Sequence, residues 1–211
     1  MIKNDYVIRL EEKADYYKTE YLIRESFWNV YRGGCVEHYV LKCLRDDADF
    51  VPQLDFVMEK DGQIIGQIIF VKAAITKDGG GLLPVLTFGP ICIDKSYQKK
   101  GYGKILLDYA LGKAAEMGFN AVFIEGNINF YRHCGLTYAR QFGIRYHGLP
   151  RGADDSFFLA KELKKGCLDG ITGEYSTPKG YFAASENPQE FEEYESQFPY
   201  KEKLKLPGQL E

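Results

Sequence analysis

Residues 91–119 read ICIDKSYQKKGYGKILLDYALGKAAEMGF: an apolar strand, a polar loop that closes on two glycines, and a helix. Leu106, Leu107, Ala110, Leu111 and Ala114 fall on one stripe at helical spacing, which predicts a helix over 103–117 with Gly118 as its C-terminal cap. A helix start exposes backbone N–H groups that have no partner within the helix, together with the positive end of its dipole, and both favour an anion such as phosphate. Gly101 and Gly103 remove Cβ atoms where a ligand must approach backbone, and they admit φ > 0, so that successive N–H groups can converge on one anion. Lys99, Lys100 and Lys104 add positive charge. Two familiar phosphate patterns fail here. A Walker loop needs Ser or Thr after Gly103-Lys104, where Ile105 stands, and the dinucleotide fingerprint needs a third glycine where Leu106 stands.

Upstream, VLTFGPICI (85–93) is a strand with a glycine and a proline in its middle. Pro90 has no N–H for a ladder and Gly89 packs no side chain, so neighbouring strands are expected to pair poorly there and to splay apart. LDFVMEKDGQIIGQIIFVKAAIT predicts a hairpin: Leu54 to Glu59, a Lys-Asp-Gly turn, then a long strand from Gln63 to Ile75. YVIRL (6–10) reads as a first strand, and helices are expected over Asp15–Trp28 and Val36–Leu44. Downstream, AVFIE (121–125) is a buried strand and NFYRH (129–133) a short helix. Two further strands are expected near Thr137–Arg145 and Phe157–Glu162. The order is mixed α and β without internal repeats. The chain divides into residues 1–165, the main domain, and 166–211, an extension that is glycine-rich to 180, then acidic, then basic. Tyr175, Tyr181, Phe182, Phe191, Tyr194, Phe198 and Tyr200 in that extension argue for docking on the domain or on a partner chain, as in a homodimer.

The chain has 211 residues and 45% hydrophobic content, enough to bury a sizeable core. No stretch approaches the roughly 20 apolar residues of a membrane span, and the N-terminus lacks the apolar run of a signal peptide, so the expectation is a cytoplasmic protein with no membrane partner. The five cysteines, Cys35, Cys43, Cys92, Cys134 and Cys167, have no C-x-x-C spacing, which suggests neither a disulfide framework nor a metal site. A formal net charge of −3 and a pI near 5.7 argue against nucleic acid.

Gln98-Lys99-Lys100-Gly101-Tyr102-Gly103 resembles the R/Q-x-x-G-x-G/A loop with which the GNAT superfamily of N-acetyltransferases holds the acetyl-CoA pyrophosphate. FYRHCGL (130–136) resembles the same superfamily's Y-x-x-x-G-F/L segment. The run from LDFVMEKDGQIIGQIIF through GNINFYRHCGL is similar to the YhbS-like predicted acetyltransferases, over roughly residues 7–183. The resemblance implies an α+β fold with a mostly antiparallel sheet of about seven strands, splayed in the middle and flanked by helices. It also implies that acetyl-CoA is the co-substrate, with no metal. The backbone of Ile91, Cys92 and Ile93 would pair with the acetyl-pantetheine arm, and the backbone N–H groups of Gln98, Lys99, Lys100, Gly101, Tyr102, Gly103 and Lys104 would hold the pyrophosphate. Asn127 and Tyr131 would lie near the thioester, with Tyr131 as general acid. The sequence departs from the pattern in three places. The superfamily's N-x-x-A-x-x-L-Y linker is absent, Asn127 stands where the YhbS-like pattern has Asp, and Ile128 where it has Pro.

The reaction implied is transfer of an acetyl group to the primary amine of a small molecule or a peptide. An alkyl amine with pKa near 10.4 must lose a proton to attack, and the departing thiol, near 8.5, must be protonated or stabilised. Glu125, His133 and Asp94 are the acidic or basic side chains nearest the motifs, and none is assigned as the base. Cys92 and Cys134 read as inert buried thiols. Trp28, Tyr31, His38, Tyr146 and His147 are aromatics on the elements expected to shape the acceptor side, each read as packing. The rival function is a catalytically silent acyl-CoA-binding or sensing module, and a longer acyl group remains open.

Overall fold

The computed structural model describes residues 5–209. Four strands, β1 (Val7–Leu10), β2 (Phe56–Lys60), β3 (Gln63–Lys77) and β4 (Leu82–Ile93), form an antiparallel meander. Asp61 and Gly62 between β2 and β3 have φ of 52° and 75°. Those left-handed values are what a two-residue turn needs to match the twist of its strands, and Asp-Gly supplies them at little steric cost. Next to β4 lies β5 (Ala121–Glu125), running parallel to it, followed by β8 (Phe158–Glu162) and β6 (Thr137–Tyr138). On the far half of β3 sits β9 (Gly173–Tyr175), and β7 (Ile144–Tyr146) pairs with β9, which completes a nine-stranded sheet among the described residues.

Helices cover both faces. Ile68 and Phe70 of β3 pack with Leu106, Leu107, Ala110, Leu111 and Ala114 of α3 (Tyr102–Glu116). Ile69 and Val71 pack on the other side with Leu22, Ile23, Val40, Leu41 and Leu44, from α1 (Tyr16–Phe27) and α2 (Glu37–Arg45). Successive side chains of a strand point to opposite faces, so β3 is buried on both and reads as a near-continuous apolar run. A short helix α4 (Ile128–Tyr131) follows β5. Among the described residues no helix is long and apolar enough to cross a membrane.

The sheet opens at one place. Ile68 lies opposite Ile91 and Phe70 opposite Phe88, so Gly89 and Pro90 together face Ile69 alone. This is a β-bulge, which re-aims the rest of the strand. On its other edge β4 pairs with β5 only through Leu86↔Val122 and Thr87↔Phe123. Beyond Thr87 the two strands part while β4 stays paired with β3 as far as Ile93. The splay expected from Gly89-Pro90 is therefore present between β4 and β5, and the β3–β4 ladder absorbs the disruption as a bulge.

The segment expected as one strand over Thr137–Arg145 is instead two strands in different parts of the sheet. The 3-10 turn Ala139–Phe142 and Gly143, at φ 75°, reverse the chain between β6 and β7. The acidic run of the extension is ordered as α5 (Ala183–Glu186) and α6 (Pro188–Glu195). Arg24 of α1, 1% exposed, donates to Glu195 through Nε at 3.0 Å and through its terminal nitrogen at 2.5 Å, and His38 Nε2 lies 2.8 Å from the same carboxylate. Tyr194 donates to Glu20 at 2.7 Å, and Trp28 Nε1 donates to the Glu202 carbonyl at 2.9 Å.

Burial alone would raise the Glu195 carboxyl, but the adjacent His38 and Arg24 side chains more than reverse it and leave it below its usual range. Its folded value lies below the unfolded one, so its stabilising contribution is full near neutrality and is lost as pH falls from about 4.5 through the lowered value. Glu195→Ala strands a buried guanidinium, which is expected to cost about 3–5 kcal/mol at pH 7 and markedly less in acid. Urea denaturation at both pH values checks this, and an unchanged midpoint at pH 7 would refute it.

Candidate active site

The loop after β4 is folded tightly against the strand end. Gln98 Nε2 donates to the Ile93 carbonyl at 2.9 Å, Asp94 N–H donates to the Ile65 carbonyl at 2.8 Å, and Asp94 Oδ1 accepts from the Ser96 amide at 2.8 Å. From there the chain passes through Lys99, at φ 59°, and Gly101, at φ 90°, before entering α3. These left-handed residues turn consecutive amides toward one side. Among the described residues no protein acceptor meets the N–H groups of 98–104. A Cβ on Gly101 would meet nothing within 4 Å, so the space over the loop is open. Gly103 is different: a Cβ there would come 3.2 Å from Phe130, so packing of α4 against α3 accounts for that glycine. Lys104 pairs with Asp108, and Lys100 Nζ donates to the Ser96 carbonyl at 2.9 Å. Tyr102 packs edge-on to Tyr6 and Tyr97, each 6.1 Å away between ring centres.

Beside this loop runs the unpaired edge of β4. Ile91, Cys92 and Ile93 pair with Ile68, Gln67 and Gly66 of β3 on one edge and with nothing on the edge facing β5. Their side chains are committed to the two cores, Ile91 and Ile93 on the α3 side and Cys92 on the α1–α2 side, which leaves main-chain groups to line the gap. Burial pushes the Cys92 thiol up to about 12 and raises Cys134 as well, and all five cysteines are free. Among the described residues no group of three or more His, Cys, Asp or Glu side chains could hold a metal ion.

Tyr131 stands at the mouth of the gap. Its ring is 5.8 Å from Phe88, the residue before the bulge, and 4.8 Å from Phe130. It rests so closely on Gly126 that a Cβ there would lie 2.4 Å from the ring. Burial raises its phenol above the ordinary value. Asn127 is the N-cap of α4, with Oδ1 accepting from the Asn129 amide at 2.9 Å.

The extension reaches the same place. Tyr181 donates to the Gly89 carbonyl at 2.9 Å, and burial pushes its phenol well above the ordinary value. Glu125, at the end of β5, accepts from Thr177 at 2.6 Å and from Tyr146 at 2.9 Å. Tyr181 and Thr177 carry no sequence signal for this role, since they lie 92 and 52 positions from the groups they bond. Of the other side chains considered, Asp94 caps the loop, His133 is exposed on a 3-10 turn, Trp28 and His38 are buried against the extension, and His147 pairs with Glu174 at 3.1 Å. Tyr31 is near Glu37, a carboxyl on α2 that burial raises and that sequence reading did not single out. A cavity of about 610 Å³ beside Trp28, Glu195 and Phe198 includes no residue of the loop or of the gap.

The sequence and the fold match known proteins. Residues 19–136 match the model of the acetyltransferase (GNAT) family. The structure is similar to the GNAT family N-acetyltransferase YhbS from Escherichia coli, solved in complex with CoA. Identity is 25%, the TM-score is 0.72, and the match covers 84% of this chain and 92% of that one. It shares its fold with a GNAT family acetyltransferase from Brucella melitensis in complex with acetyl-CoA, at 19% identity and TM-score 0.66, covering 85% of this chain and 99% of that one. The fold is also that of the ribosomal-protein-S18-alanine N-acetyltransferase from Escherichia coli, at 16% identity and TM-score 0.52, covering 75% and 94%. No relative was found among curated protein sequences. With the family model matching more than half of its length, the chain belongs to the GNAT family of acetyltransferases.

Proposed function

We propose that the protein is an acetyl-CoA-dependent N-acetyltransferase that acts on a primary amine. The observation that carries this reading is the run of unpartnered amides at 98–104 beside the unpaired edge of β4 at 91–93. A diphosphate suits the first, because a nest of N–H groups at a helix start binds anions. An amide-bearing pantetheine arm suits the second, because it can complete the hydrogen bonding of a strand edge. The CoA and acetyl-CoA complexes of the two GNAT proteins compared above support the same ligand.

In the reaction the amine nitrogen forms a bond to the acetyl carbon, the carbon–sulfur bond breaks, and the thiolate takes up a proton as the former amine loses one. Tyr131 is assigned to the sulfur. Its raised value keeps the phenol protonated at neutral pH, as a donor must be. Even an ordinary phenol, near 10, is a weaker acid than a thiol near 8.5, so complete transfer to sulfur is uphill. Tyr131 therefore acts chiefly as a hydrogen-bond donor to the departing sulfur, and any proton it passes to the thiolate is made up by the one the nitrogen releases, so that the phenol ends as it began.

Tyr131→Phe should lower kcat about ten- to a few hundredfold, with acetyl-CoA affinity nearly unchanged, because positioned acid and base groups typically contribute 10² to 10⁴. Steady-state kinetics with calorimetric titration of acetyl-CoA would remove Tyr131 from the mechanism if turnover were intact.

Gly101→Val meets no protein atom but forces a β-branched residue into left-handed backbone, at a cost of about 1–3 kcal/mol in stability. The same change puts a branched side chain over the amides, so acetyl-CoA binding should weaken more than tenfold in protein that remains folded by circular dichroism. Wild-type affinity in calorimetry would dislodge the loop from its assigned role.

A further inference from the structure

We propose that Glu125 receives the acceptor, and that the acceptor is an alkylammonium compound with no carboxylate beside its amine. This rests on the transferase reading above and names the substrate class of that site.

Glu125 is the last residue of β5, paired on one side with Phe158 of β8 while the other side has already parted from β4. Its Oε1 is anchored twice, by Thr177 from the extension at 2.6 Å and by Tyr146 from β7 at 2.9 Å, and those two hydroxyls lie 2.9 Å from each other. Among the described residues Oε2 has no hydrogen-bond partner and no ion pair reaches the carboxylate. The basic side chains that flank Tyr146 in sequence are held elsewhere: Arg145 by Asp78 at 2.6 and 3.0 Å, and His147 by Glu174 at 3.1 Å. The result is a carboxylate fixed in orientation through one oxygen, with the other presented without a cation.

Its surroundings are those of the acetyl-transfer end of the site. Tyr131 rests on Gly126, the next residue in the chain, and Tyr181 of the extension is hydrogen-bonded to Gly89 at the bulge. A charge-assisted hydrogen bond to the carboxylate, with phenol rings beside it, is chemistry that recognises an ammonium group. A zwitterionic amino acid would bring its own carboxylate against Glu125 and be disfavoured. Tyr146 and Thr177 are positioning residues that act through Glu125. If the carboxylate served only to clamp Thr177 and Tyr146 to β5, a glutamine would serve as well, since its carbonyl oxygen accepts both bonds.

That contrast defines the experiment. Full-length protein with acetyl-CoA is assayed by CoA release on cadaverine and tyramine as alkylammonium probes, and on glycine and alanine as zwitterions. Cadaverine binding to the CoA-saturated protein is measured separately by calorimetry. The wild type should favour the alkylammonium probes at least tenfold in kcat/KM. Glu125→Gln should raise their KM and the cadaverine Kd about ten- to a hundredfold, with kcat within a few-fold and with acetyl-CoA affinity and Tm unchanged. Thr177→Val should show a smaller rise in KM that Thr177→Ser reverses. An unaltered KM and cadaverine affinity in Glu125→Gln, or a wild type that prefers zwitterions, overturns the role of Glu125 and leaves the transferase standing. Acetyl-CoA binding with no amine of the panel acetylated or bound overturns both.

Discussion

The structure depends on where β4 leaves β5. A parallel strand pair is normally continuous, and an open main-chain edge inside a sheet costs unmet hydrogen bonds unless something else supplies them. Here Gly89 and Pro90 set the position of that edge. Pro90 has no N–H to contribute, Gly89 carries no side chain to pack, and the pair bulges against Ile69, so β4 keeps β3 as a neighbour and loses β5 beyond Thr87. The gap lies beside a helix start whose amides are turned outward by the left-handed residues Lys99 and Gly101. Two backbone irregularities thus set side by side an unpaired strand edge and a run of outward-turned amides.

The extension after residue 165 is held by polar contacts to the domain as well as by aromatic packing. Arg24 is almost wholly buried and its guanidinium meets Glu195, while Tyr194, Phe198 and Phe191 cluster with Tyr39 of α2. Buried charges of this kind contribute little net stability against an apolar alternative, but removing one partner is costly. They specify one docking geometry, and that geometry carries Thr177 to Glu125 and Tyr181 to Gly89. The side chains at the mouth of the gap accordingly come from both parts of the chain.

Burial acts differently on the groups of the site. It raises the phenol of Tyr131 and the thiols of Cys92 and Cys134, which favours neutral donors and inert sulfur. Glu125, on the exposed strand end, is instead held by hydrogen bonds to two hydroxyls and by no cation.

Much of this was legible from local chemistry. The Asp61-Gly62 turn, the stripe of α3, the interrupted strand and the glycine loop each follow from neighbours in sequence, and so did the family resemblance carried by the loop and by FYRHCGL. The expected strand over 137–145 failed because apolar content does not reveal that Gly143 takes a left-handed turn between two strands with different partners. β9 was missed because its three residues lie in a glycine-rich stretch and are strand only by virtue of β3 and β7. Gly103 read as making room for a ligand, whereas the ring of Phe130 occupies that place. The chain by itself determined most of the elements and the glycine loop, because those arise from φ/ψ preferences and hydrophobic period over a few residues. Only the tertiary structure decided which carboxylate stands at the gap and what holds it, because Glu125, Tyr146, Thr177 and Tyr181 meet through contacts between distant positions that no local pattern encodes.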